Sequence, residues 1–68
     1  MKIVKGEEFE VITHDRQQFK LVVNSVEGGK IDFTAYEVNK PDDKFNYSLY
    51  KDSIKYFMGK NYMRKISE

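Results

Sequence analysis

The sequence predicts an all-β fold: a small, five-stranded, strongly bent antiparallel barrel, with a short terminal helix left open as an addition. Three observations carry this. Apolar and polar residues alternate with period two through successive short runs. Gly28-Gly29 stands between two of these runs, Val26-Glu27 and Lys30-Ile31, as the loop of a two-residue hairpin. The single proline, Pro41, falls in a turn-forming stretch rather than inside a strand.

Each element follows from its residues. Phe9, Val11 and Thr13 alternate with Glu10 and Ile12, and His14-Asp15-Arg16-Gln17 makes a polar turn. Residues 18–26 form a second strand, with Phe19, Leu21 and Val23 on one face. Two glycines reach the positive φ angles of a type I′ turn without a Cβ clash, so the chain reverses at 28–29. In residues 30–39, Ile31, Phe33 and Ala35 share one face, and Thr34, Tyr36 and Val38 the other. Residues 39–44 turn the chain again. A fourth strand then alternates Phe45, Tyr47 and Leu49 with Asn46, Ser48 and Tyr50.

The last third has two readings. After the break Lys51-Asp52-Ser53, the run Ile54-Lys55-Tyr56-Phe57-Met58 reads as a short fifth strand, ended by Gly59-Lys60-Asn61. Alternatively, Asp52 caps a helix that carries Ile54, Phe57, Met58, Tyr62 and Ile66 at near-helical spacing. A glycine in the middle of that longer helix costs about 1 kcal/mol relative to alanine, and Tyr56-Phe57 favour strand. The strand is therefore preferred, with residues 61–68 open as tail, strand or helix. A short helix over 3–8 is also left open.

The 68 residues allow one domain over 1–68, with its barrel core at about 9–58 and a basic tail at 59–68. A domain this small buries only about 60% of its unfolded surface. There is no cysteine, which removes disulfides and thiolate metal sites, and one histidine excludes a multi-histidine cage. Association with further copies is the remaining common reinforcement. The net charge of +1 argues against a strongly basic nucleic-acid arm, yet residues 51–68 hold five basic groups against two acidic ones. That end suits phosphate or an acidic partner. No apolar run approaches the ~20 residues of a membrane span, and the first ten residues are too polar for a signal peptide. A cytoplasmic protein without membrane contact is expected.

Catalysis finds little support, and no enzyme and no cofactor are expected. His14 beside Asp15 is the one acid–base candidate, and adjacent polar residues in a turn are ordinarily solvent-facing. Asp42-Asp43 lacks the alternating carboxylates of a calcium loop. Aromatic residues beside basic ones say more. Tyr50-Lys51, Lys55-Tyr56 and Tyr62-Met63-Arg64 each combine a stacking ring with a cation, as binders of single-stranded nucleic acid do. The same rings also suit core or subunit contacts.

On these residues the chain resembles the Sm-like (Lsm/Hfq-type) family over about three-quarters of its length. Phe9-Glu10-Val11-Ile12-Thr13-His14-Asp15 through Ser25-Val26-Glu27 resembles the family's first motif. The run from Tyr47 through Phe57 resembles the second, and Tyr50-Lys51-Asp52-Ser53-Ile54 lies close to a tyrosine-lysine-histidine-alanine-isoleucine run of the Hfq type. The resemblance implies a cyclic homo-oligomer of about five to seven subunits, closed by pairing the fourth strand of one copy with the fifth of the next. Phe45, Tyr47, Leu49, Ile54, Tyr56, Phe57 and Met58 would then form the subunit interface. It further implies single-stranded RNA binding at Tyr50, Lys51 and Lys30; the alternative is a ring that serves only as a structural or protein-interaction module. Departures are plain: Arg16 and Leu21 stand at or near usual glycines, and Asp52 replaces an RNA-contacting histidine. So divergent a member suits a phage or another mobile element.

Overall fold

In the computed structural model, which describes residues 2–66, the chain forms five strands and one helix. They are β1 (Glu8–Ile12), β2 (Gln18–Glu27), β3 (Lys30–Glu37), β4 (Phe45–Tyr50), α1 (Lys51–Gly59) and β5 (Met63–Lys65). All strands lie in one antiparallel sheet of order β4-β3-β2-β1-β5. Four strands follow one another as a meander. Helix α1 then carries the chain from one edge of the sheet to the other, where β5 joins β1.

The alternation read from the sequence sets which face is buried. Phe9 pairs with Leu21, Leu21 with Ala35, Val23 with Phe33, and Ile31 with Leu49. Phe9, Leu21, Val23, Ile31, Phe33 and Ala35 are buried together with Ile3, Ile54 and Met63. The rings of Phe9 and Phe33 meet edge to face at 6.1 Å. At Gly28 and Gly29, φ is +55° and +87°, the signs of a type I′ turn. The register of β2 against β3 shifts at a bulge between Val23 and Ser25, where the amide of Asn24 donates to the Thr34 hydroxyl at 2.6 Å.

Two expectations are corrected. The sheet is not a closed barrel: β4 and β5 are its two edges, and α1 spans the gap between them. The expected fifth strand at 54–58 is helix, and the fifth strand is instead Met63–Lys65. The reason is length. The helix stops at Gly59, so the glycine ends it rather than interrupting it. Ile54, Phe57 and Met58 fall at i, i+3 and i+4 and pack on the sheet. Asp52 lies in the first turn, where a negative charge suits the helix dipole. No helix forms at residues 3–8. A turn closed by the Glu7 N–H donating to the Val4 carbonyl at 3.2 Å stands there, with Gly6 at φ +92°, and it seats Ile3 in the core. The last two residues of the expected basic tail lie outside the described residues.

Candidate ligand-binding surfaces

Of the three residues expected to contact RNA, Lys30 lies twenty residues before the adjacent pair Tyr50-Lys51, and the fold brings them to one corner. The tight turn at Gly28-Gly29 returns the chain at Lys30, which pairs with Tyr50 across β3 and β4. One residue further, the Lys51 N–H donates to the Gly29 carbonyl at 2.8 Å. Because Ile31 and Leu49 point inward, Lys30 and Tyr50 share the outer face. Tyr50 is 63% exposed, and both lysines are exposed.

Carboxylates balance this corner. Asp52 follows Lys51 in the first turn of α1, and Glu27 pairs with Lys30. Asp32, next but one along β3, accepts hydrogen bonds from the Ser48 hydroxyl and from the Ser25 hydroxyl at 3.1 Å. Those two donors hold its carboxyl below the ordinary aspartate range, so it stays charged. Any anion that docks here meets two lysines and three acids.

A second surface lies on the inner face. Tyr47 and Leu49 of β4, Val11 and Ile12 of β1, Thr13, His14, Phe57 and Tyr62 line a groove of about 230 Å³. A recess of about 200 Å³ adjoins it past Tyr47, walled by Phe19, Leu21, Ala35 and Phe45. Its rings are fixed by edge-to-face contacts, Phe19 with Phe45 at 6.2 Å and His14 with Tyr62 at 5.6 Å.

Local backbone chemistry places Tyr62. Helix α1 ends in a Schellman motif, in which the Asn61 N–H donates to the Met58 carbonyl at 3.1 Å and the Tyr62 N–H to the Phe57 carbonyl at 2.9 Å. Asn61 takes the left-handed conformation this requires, at φ +64°. The motif brings Tyr62 back beside Phe57, so both rings face the groove.

At the opposite wall, the β1–β2 hairpin turns through His14, Asp15 and Arg16. The Thr13 N–H donates to the Gln17 carbonyl at 2.9 Å and the Arg16 N–H to the Thr13 carbonyl at 3.0 Å. This is a three-residue loop whose last residue is left-handed, with Arg16 at φ +65°. The Thr13 hydroxyl donates to the Asp15 carboxylate and accepts from the Gln17 N–H at 3.1 Å. That hydroxyl lowers the Asp15 pKa. Asp15 thus bonds to Thr13, while the His14 ring meets Tyr62 edge to face.

The residues expected at a subunit interface divide. Phe45 and Tyr47 are 46% and 42% exposed on β4, and Leu49 and Phe57 line the groove beside them. Met58 packs partly on the core. Tyr56, 59% exposed, lies under the Lys60 ammonium, 5.8 Å from its ring centre. Ile54 is wholly buried in its own chain, so its expected place at an interface is corrected: it anchors α1. Sequence reasoning missed Val11 and Tyr62 as groove residues and Phe19 as a wall of the recess. Only the Asn61-Tyr62 pair after a glycine hinted at the helix ending that aims Tyr62.

Among the described residues no group of three or more histidine, cysteine or acidic side chains is placed to hold a metal ion, and no helix is long and apolar enough to cross a membrane. Compared with known proteins, the chain matches no family model, no curated protein and no solved structure.

Proposed function

We propose that this chain is a non-enzymatic binding module of the Sm-like and SH3-like type, whose exposed corner takes single-stranded RNA. One observation carries the reading: Lys30, twenty residues before Tyr50 in sequence, pairs with it across β3 and β4, and the next residue, exposed Lys51, is bonded through its N–H to Gly29. An exposed ring with a lysine across the ladder and another next in the chain offers a base a stacking surface and its phosphates a countercharge. A meander whose last strand returns to β1 also suits a small rolled β-module.

The three acids keep the affinity low, in the micromolar range, and steeply dependent on salt. Fluorescence anisotropy with labelled oligo-uridine and oligo-adenine at low salt tests this. Tyr50→Ala weakens binding by about tenfold, in line with the ~1–3 kcal/mol of one base stacked on an aromatic ring. Asp52→His removes a carboxylate beside Lys51 and strengthens binding. Equal binding by the wild type and Tyr50→Ala would refute the corner as the site.

A second reading has its own support. The same acids, with the aromatic inner groove, favour a module that associates with protein and leaves RNA alone. It predicts no RNA binding by the wild type and no gain from Asp52→His.

A further inference from the structure

Strand β4 is an edge without a guard. It ends the sheet, and its six residues, Phe45-Asn46-Tyr47-Ser48-Leu49-Tyr50, include no charge and no proline. Every other strand contains at least one charged residue. Edge strands of monomers ordinarily carry a lysine, a proline or a bulge that blocks addition of a further strand.

The register fixes which backbone groups of β4 are free. The Lys51 N–H bonds to Gly29, so by antiparallel alternation Leu49, Tyr47 and Phe45 also bond to β3. The N–H and C=O of Asn46 and Ser48, and the N–H of Tyr50, then point away from the sheet. The side chains of Phe45 and Tyr47 remain almost half exposed on the inner face.

We infer that β4 pairs with β4 of a second copy, antiparallel about a two-fold axis at Tyr47, and makes a closed dimer with a continuous ten-stranded sheet. Self-complementarity selects this occupant. With Tyr47 opposite its own copy, Phe45 faces Leu49, Asn46 faces Ser48, and Lys44 falls beside Tyr50. Apolar meets apolar on the inner face, polar meets polar on the outer, and no like charges oppose one another. The apolar groove and recess flanking Tyr47 lie on the same inner face, where the second copy's Phe45 and Leu49 arrive.

A ring built from β4 and a neighbour's β5 is the poorer solution. β5 offers three residues, and two of them are basic and tied to Glu10 and Glu7 of their own chain. One adhesive edge per copy closes as a pair rather than as a cycle. This inference does not rest on RNA binding: it is argued from the edge and inner face of β4, and it brings the second copy's Lys44 to Tyr50 at the outer-face corner.

Sedimentation at about 100 micromolar tests it, with circular dichroism to monitor the fold. The wild type should have twice the mass of the 8.1 kDa chain. Asn46→Pro removes an N–H that points away from β3, and Tyr47→Lys puts a charge on the edge; both should give monomers with unchanged dichroism. The chain has no cysteine, so an introduced one reports the register. In wild-type-like dimers, Tyr47→Cys should cross-link on oxidation, because that central pair lies about 4.5 Å apart at Cα. Ser48→Cys should not, its two copies sitting on a diagonal beyond the ~7 Å limit of a disulfide. A monomeric wild type, a mass of five to seven copies, a dimer that survives both Asn46→Pro and Tyr47→Lys, or the reverse cross-linking pattern would each overturn the inference.

Discussion

The sheet ends on two strands that treat their open sides in opposite ways. β5 is three residues long, and its charges are held by its own chain: Arg64 Nε donates to Glu10 at 2.7 Å, and the Lys65 ammonium pairs with Glu7. β4 is twice as long, uncharged and faced with exposed rings. A short, charged edge offers a foreign strand few bonds and an electrostatic cost, whereas β4 offers several free backbone groups and an apolar face. What separates the two edges is α1, which fills the gap that strand pairing would have closed.

The largest expected effect therefore comes from loosening α1. Ile54 is its one fully buried side chain, and Ile54→Ala should cost about 2–5 kcal/mol, measured by urea unfolding. The two edges should respond unequally. β5 is reached only through α1 and pairs over three residues, while β4 is held to β3 over six. Native-state hydrogen exchange in Ile54→Ala should thus rise first at the Ile66 N–H, which donates to Glu8, and later at the Lys51 N–H. Equal acceleration at both would mean that the helix and the whole sheet open as one unit.

A smaller effect tests how β5 is aimed. Asn61 holds the left-handed conformation that turns the chain from α1 into β5. Asparagine tolerates that region and valine does not, so Asn61→Val should destabilise by about 1–2 kcal/mol. Asn61→Gly should melt at or above the wild-type temperature. If valine and glycine melt alike, the Schellman ending does not set the course of β5.

Much of this fold was legible in advance, and what was missed has a common physical origin. Period-two alternation and the Gly28-Gly29 turn place β1 to β4, because strand pattern and turn chemistry are both local. The segment at 54–58 was ambiguous, since five residues with Ile, Tyr, Phe and Met satisfy either period. Tertiary packing decided it, by giving Ile54, Phe57 and Met58 a sheet face to cover. The corner residues were visible as types, and only the register brought Lys30 to Tyr50. The groove and its recess could not be read, because Val11, Phe19 and Tyr62 look like ordinary strand residues until the open side of the sheet is known.

The smallest effect separates the edges by their electrostatics. Each edge leans on one carboxylate. Glu7 accepts from the Lys65 ammonium of β5 and from the Val4 N–H at 2.7 Å, and Asp32 accepts from the Ser48 hydroxyl of β4 and from Ser25. Both carboxyls lie below their ordinary range, Glu7 chiefly through the Lys65 bond and Asp32 chiefly through Ser48. A carboxyl depressed in the folded state stabilises it above the unfolded pKa, and that contribution is lost as pH falls through the folded one. Melting temperature should thus be insensitive to these groups above about pH 5 and should fall below about pH 4, given unfolded values of ~3.9–4.3. Glu7→Gln and Asp32→Asn should each flatten part of that fall. Salt tells the two apart: the charge–charge share at Glu7 is screened at 1 M, where the Debye length is about 3 Å, while hydroxyl donation to Asp32 is little changed. Acid melts at high salt should therefore narrow the difference between wild type and Glu7→Gln, leaving the part held by the Lys65 and Val4 hydrogen bonds, and keep the difference made by Asp32→Asn. If both differences shrink together, β4 is held by net charge and not by its serine bond.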